Sequence, residues 1–236
     1  MNNTFYFKGI KFYNNDFLTI IKELNIKKGY LVAPAASALA MILKNKDFHL
    51  SLKKSSIAIL DSGFFCILIR IFYSKKVTKF SGYLFIKKFV ESNLKIIKKQ
   101  SILSINPNKI DEKINNKLLR KKKFIKVYSY SAPIYKSIIK DTILLDLITK
   151  KKPGYILINI GGETQERLAL YIVKKLKFKN KIICTGAAIA FLTGRQAPIN
   201  SFIDKLYLGW LIRLIHNPKE HFVRSLKSLK LIKLFI

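Results

Sequence analysis

The sequence predicts an α/β protein: a mostly parallel, Rossmann-like sheet with flanking helices and a C-terminal helical appendage. Three observations carry this expectation. Apolar, β-branched runs alternate with helical patterns through most of the chain, the signature of βα units and a parallel sheet. Two of these runs, Tyr155–Ile160 and Lys181–Thr185, stop at small residues and turn directly into helices. After Pro198 the pattern is helical only, which divides the chain into a core over residues 1–198 and an appendage over 199–236.

The elements follow in order. Gly29–Ala33 reads as a strand, with a helix through Ser37–Leu43. Ser56–Leu60 reads as a second strand, with a helix over Phe64–Phe72. Leu84–Lys99 has a helical pattern, and Ile102–Ile105 is a strand that ends at Asn106-Pro107. A charged helix follows over Lys109–Lys122, then a strand over Phe124–Tyr130. Ile134–Thr149 reads as a helix stopped by Pro153, because proline cannot continue a helical ladder. Tyr155–Ile160 and Lys181–Thr185 are the clearest strands, bounded by Gly161-Gly162 and Gly186. In the appendage, Phe202–Ile215 forms one helix, Asn217-Pro218 breaks it, and Lys219–Phe235 forms another.

The two glycine turns mark a ligand crevice. Glycines allow backbone N–H groups to approach a ligand, and the helix N-terminus that follows favours an anion. In parallel sheets such crevices open at the carboxyl ends of strands. Asp61 follows the apolar run Ile57–Leu60 and precedes Ser62-Gly63, so it lies at such a strand end. It reads either as a general base or as the cap of the helix beginning at Phe64.

Net charge is +32 with half the residues hydrophobic, which excludes a disordered basic tail and allows a sizeable core. The charge has three readings: a nucleic-acid partner, an anionic membrane surface, or lysine-rich composition spread over the whole fold. No zinc-finger spacing or RNA-recognition signature supports the first. In the last segment Lys227, Lys230 and Lys233 run beside Leu226, Leu229 and Ile232. A basic edge beside an apolar edge suits a helix lying on a membrane, and equally a terminal helix packed on the sheet. The longest apolar stretch, Ile57–Tyr73, is interrupted by Asp61 and Arg70, so no spanning helix is expected. Residues 1–22 show no signal peptide, and Cys66 and Cys184 lie in apolar runs as small buried hydrophobes; a cytoplasmic protein is expected. No Walker loop, dinucleotide fingerprint, nucleophile elbow or metal-ligand spacing is present.

The segment Gly154–Arg224 resembles the C-terminal half of the WecG/TagA/CpsF glycosyltransferases. Its ordered matches are Gly161-Gly162-Glu163-Thr164-Gln165-Glu166, Gly186-Ala187-Ala188, Phe191-Leu192-Thr193-Gly194, Ala197-Pro198, Leu208–Leu214, Asn217-Pro218-Lys219 and Arg224. Leu60-Asp61-Ser62-Gly63 and Lys79-Phe80-Ser81-Gly82 continue the match in the N-terminal half. The resemblance implies an inverting, metal-independent enzyme without a cofactor. Such an enzyme moves a hexosyl or N-acetylhexosaminyl group from a UDP-sugar to a polyprenyl-diphosphate-linked saccharide in polysaccharide biosynthesis. It would work as a peripheral protein on the inner face of the membrane. By the same resemblance Asp61 is the general base. Lys79, Gly161, Gly162, Thr164, Gln165, Glu166, Gly186, Arg213 and Arg224 bind the substrates, the two arginines facing diphosphate.

The chain also departs from the family pattern. Ala33-Pro34-Ala35 replaces a Thr-x-Asn, Lys79 an arginine, Ala190 an aspartate and Gly209 a glutamate. These departures motivate an alternative, a non-catalytic scaffold or binding member of a polysaccharide-assembly complex. Homo-oligomerisation through exposed apolar helix faces stays open.

Overall fold

The computed structural model describes residues 3–176, 180–186, 188–196, 215 and 218–236. The first half contains β1 (Thr4–Phe7), β2 (Ile10–Tyr13), α1 (Phe17–Lys27), β3 (Gly29–Val32), α2 (Ala36–Leu39), α3 (Lys46–Lys53), β4 (Ile57–Ile59), α4 (Gly63–Tyr73), α5 (Gly82–Glu91) and α6 (Lys95–Lys98). The second contains β5 (Ser101–Asn106), α7 (Lys109–Lys121), β6 (Lys126–Ser131), α8 (Thr142–Lys151), β7 (Tyr155–Ile158), α9 (Thr164–Lys175), β8 (Lys181–Cys184) and α10 (Ala188–Leu192). A C-terminal helix, Pro218–Leu229, leads into a 3-10 turn over Lys230–Leu234.

The strands form one 8-stranded sheet in the order β1-β2-β4-β3-β8-β7-β5-β6. Among the described strands only the β1–β2 hairpin is antiparallel. The central strands are largely apolar because helices cover both faces: every residue of β4 and β7 is apolar and fully buried. One core lies against each face, one around Phe12, Phe65, Ile158 and Leu168, the other around Phe85, Phe89, Tyr155 and Ile183.

Side-chain caps set most helix starts. Asp16, Asn45, Ser62, Ser81, Asn108 and Asp141 each accept a backbone N–H three residues on, satisfying a donor the helix leaves open. Several expected boundaries change for this reason. The expected helix over 134–149 begins only at Thr142, where the Asp141 cap is. The expected helix over 84–99 starts at Gly82 and breaks after Glu91, and its remainder is the single turn α6. The hairpin β1–β2, α1 and α3 are additions to the elements expected from the sequence.

The C-terminal helix packs against α2. Its expected continuation to Phe235 tightens into the 3-10 turn, where Leu231 and Leu234 join the core. Phe235 packs among aromatic rings, 4.7 Å from Phe7 and 5.3 Å from Phe72 between centroids. Among the described residues no helix is long and apolar enough to cross a membrane.

Candidate active site

The carboxyl ends of β4, β3, β8 and β7 lie side by side along one sheet edge, and the residues singled out in the sequence follow directly from them. Asp61 leaves β4 with its N–H on the carbonyl of Ile59, 3.1 Å away. The residue after it, Ser62, caps α4, so the cap reading of Asp61 fails. The Asp61 carboxylate turns instead to the segment after α4. Phe80 N–H donates to the Leu60 carbonyl at 2.9 Å, drawing residues 80–82 back beside the end of β4. Gly82 N–H then donates to Asp61 Oδ1 at 2.7 Å. Gly82 is the first residue of α5, so the carboxylate faces the positive end of that helix.

A Cβ placed on Gly82 would stand 3.6 Å from Asp61 Oδ1, 3.2 Å from Ala33 Cβ and 3.4 Å from Thr185 Cβ. The ends of three neighbouring strands therefore meet at the first turn of α5, and glycine leaves room for it. On the other side of this junction Gly186, with φ +62, holds a left-handed turn that suits glycine. Its N–H donates to Gln165 Oε1 at 2.7 Å. Gln165 N–H in turn donates to the Gly161 carbonyl at 3.2 Å, tying α9 to the first glycine turn. At Gly161 and Gly162 a Cβ would meet nothing within 4 Å, so their backbone borders open space at the start of α9. The structure thus links Asp61, Gly82, Gly186, Gln165 and Gly161 through successive contacts along one sheet edge, the arrangement from which open α/β proteins build ligand crevices.

A model of the Glycosyl transferase WecG/TagA/CpsF family matches residues 7–236, nearly the whole chain. The chain belongs to this family. A search among curated proteins returns no match. The mostly parallel sheet and the junction of strand ends at its carboxyl edge agree with the family, which gives the reaction class as glycosyl transfer.

In this glycosyltransferase the remaining expected residues have distinct places. Glu166 is fully buried: Gln165 Nε2 donates to its Oε1 at 2.9 Å, and among the described residues its Oε2 has no hydrogen-bond partner. Burial pushes its carboxyl up to about 7, with Glu163 adding to the rise. Glu166 thus stands behind Gln165 and fixes which end of that amide faces Gly186. Thr164 opens α9 and is half-buried. Lys79 precedes the Gly82 turn; its charge and that of Arg70 pull down on the Cys66 thiol, while burial pushes that thiol up to about 12. Cys66 and Cys184 are both free and buried. Arg224 is exposed on the C-terminal helix, and Arg213 lies outside the described residues, as does most of the expected appendage helix over 202–215. Among the described residues no three His, Cys, Asp or Glu side chains group as a metal site requires.

Three features escaped the sequence reading. Asn45 caps α3 and donates through Nδ2 to Glu163 Oε2 at 3.0 Å, joining the first half of the chain to the glycine turn. Glu163 itself has φ +66, uncommon for a side-chain-bearing residue. Below this turn Ser104, Asn106, Asn115 and Asn159 form a buried amide–hydroxyl network that stitches the ends of β5 and β7 together. Thr185 is the third feature. It directly follows β8, and its position after an apolar strand and before a glycine was the available signal.

Proposed function

We propose that this protein transfers a hexosyl or N-acetylhexosaminyl group from a UDP-sugar to a polyprenyl-diphosphate-linked saccharide, with inversion, in cell-surface polysaccharide biosynthesis. The observation that carries the reading is the Asp61 carboxylate, set at a strand end, held by the Gly82 N–H and joined through Thr185 to the Gln165–Gly186 turn. Asp61 takes the proton of the acceptor hydroxyl as that oxygen attacks the anomeric carbon. The bond from that carbon to the UDP oxygen breaks in the same displacement, which inverts the centre. UDP leaves towards the open backbone at Gly161-Gly162 and the N-terminus of α9, where an anion is favoured. Lys79, Arg213 and Arg224 supply positive charge to the diphosphates, so the reading needs no metal and no cofactor.

The C-terminal helix supports a peripheral membrane location. Phe222, Val223, Leu226 and Leu229 are 56%, 50%, 50% and 54% exposed, and their spacing places them on one face. Arg224, Lys227 and Lys230 are exposed beside them. An outward apolar stripe with a basic border matches an anionic bilayer on the inner face of the membrane.

Acceptor-dependent UDP release tests the reaction, with a panel of UDP-sugars and short-chain polyprenyl-diphosphate saccharides. Wild-type protein should release UDP with one donor–acceptor pair, and Asp61→Asn should abolish release while UDP binding persists. Normal turnover in Asp61→Asn would remove the base assignment. Folded wild-type protein that neither turns over nor binds UDP would favour the scaffold reading that Ala33, Ala35 and Ala190 motivate.

A further inference from the structure

Thr185 carries an unmet hydrogen bond at the reacting end of the crevice. β3 and β8 are parallel neighbours with Val32 opposite Cys184, so Ala33 and Thr185 leave the sheet side by side. Both lie against the position that the Gly82 side chain would occupy, beside Asp61 Oδ1. Ala33 brings only a methyl to this junction. Thr185 is 8% exposed, and among the described residues its buried Oγ1 has no hydrogen-bond partner. A buried hydroxyl left unpaired is a standing cost, because water has been stripped from it and nothing has replaced it. Packing does not call for it, since valine has nearly the same shape and would leave no orphan. Backbone neighbours do not use it either: Gly186 N–H is committed to Gln165, and Ala188 N–H donates to the Thr185 carbonyl rather than to the side chain.

We propose that Thr185 Oγ1 is a substrate-contacting group that hydrogen-bonds a hydroxyl of the sugar being transferred. It stands between Asp61, which faces the acceptor, and the Gly186–Gln165 turn, which faces the donor. The transferred sugar must occupy that interval for its anomeric carbon to come within reach of an acceptor oxygen bound at Asp61. A hydroxyl donates and accepts at once, as a sugar hydroxyl does. A χ1 step between staggered wells carries the hydroxyl into the place of the methyl without moving the backbone. The missing partner in the unliganded protein is then the ligand, and the residue sets sugar orientation and specificity.

This inference rests on the proposed transfer and on Asp61 as its base. Its test uses the full chain with Thr185→Val and Thr185→Ser, and reads thermal melting, UDP affinity by calorimetry and UDP release with the active donor–acceptor pair. Thr185→Val should melt at or above the wild-type temperature, since it removes an unpaired group. It should bind UDP alone within about two-fold of wild type, yet lose about ten-fold or more in kcat/KM for the UDP-sugar, as expected for one lost hydrogen bond to the substrate. Thr185→Ser keeps the hydroxyl and should restore most of that loss. A Thr185→Val enzyme with unchanged kcat/KM overturns the assignment. So does one that melts well below wild type, because the hydroxyl would then have a partner inside the protein. If Asp61→Asn abolishes turnover while Thr185→Val does not alter it, only the threonine assignment falls. If wild-type protein binds UDP but releases none across the panel, the proposed reaction falls and this inference with it.

Discussion

Replacing Glu166 by glutamine should change how stability depends on pH, and the buried geometry sets the size of the effect. The carboxyl is fully enclosed, receives one hydrogen bond from Gln165 Nε2 and has no partner for Oε2 among the described residues. Glu163 adds negative charge nearby, and Tyr30 and Cys184, both buried and both raised, are close enough to sense Glu166. Burial, with the Glu163 charge adding to it, favours the neutral acid and outweighs the hydrogen bond from Gln165, which pulls the other way; the group is lifted from 4.5 to about 7. The folded chain therefore holds a proton that the unfolded chain releases. The stability contributed by that proton is fully present below about pH 4.5 and is lost as pH rises through about 7. A gap of about two and a half pH units corresponds to about 3 kcal/mol. Glutamine keeps the carbonyl that accepts from Gln165 and cannot ionise. Urea unfolding of both proteins from about pH 4 to about pH 8.5 should show the difference, variant minus wild type, growing by about 3 kcal/mol across that window. Parallel curves would refute the reasoning, because a carboxylate that ionises freely in the folded state cannot be the enclosed group described.

Two further substitutions probe other parts of the molecule. Gly186→Ala places a Cβ at φ +62 and 3.5 Å from Gln165 Nε2; it should cost about 1–2 kcal/mol in urea unfolding and weaken UDP-sugar binding, and an unaltered midpoint would argue against the left-handed turn. Changing Phe222, Leu226 and Leu229 together to serine should leave the melting temperature nearly unchanged, since all three are at least half exposed. It should cut co-sedimentation with anionic phospholipid vesicles by about ten-fold or more, and equal sedimentation would remove the membrane role of that stripe.

The sequence announced the inner sheet more clearly than its edges. β3, β4, β7 and β8 are buried on both faces, so they read as mainly apolar runs, and both glycine turns followed from where β7 and β8 stop; β5 is as deeply buried but carries Ser104 and Asn106. The edge hairpin β1–β2 was harder, because its signal is the pair Lys8-Gly9, both at positive φ (48 and 78), and not a hydrophobic run. The span 134–141 has a helical look in one dimension. Its Tyr135 is instead drawn onto Asp141, where Tyr130 of β6 also donates to the carboxylate, and the helix waits for the cap. At the site, residue types and strand ends were legible, but partners were not. The group that fixes Asp61 is a backbone N–H 21 residues away, and which of Asp61 and Ser62 caps α4 depends on a one-residue difference in position. Thr185 looked like the last residue of a strand because an unpaired hydroxyl is visible only when its surroundings are.

The placement of β8 has a consequence for how the chain comes together. Among the described strands it is the last in sequence, yet it stands between β3 and β7 and joins the half-sheet β1-β2-β4-β3 to the half-sheet β7-β5-β6. Until residues 181–184 have been synthesised and inserted, both halves expose an apolar inner strand along an open edge. Such edges are where chains pair wrongly with one another. A nascent or truncated chain that stops before Lys181 is therefore expected to be aggregation-prone, while the junction of Asp61, Thr185 and Gly186, the proposed reacting site, comes into being only at the step that closes the sheet.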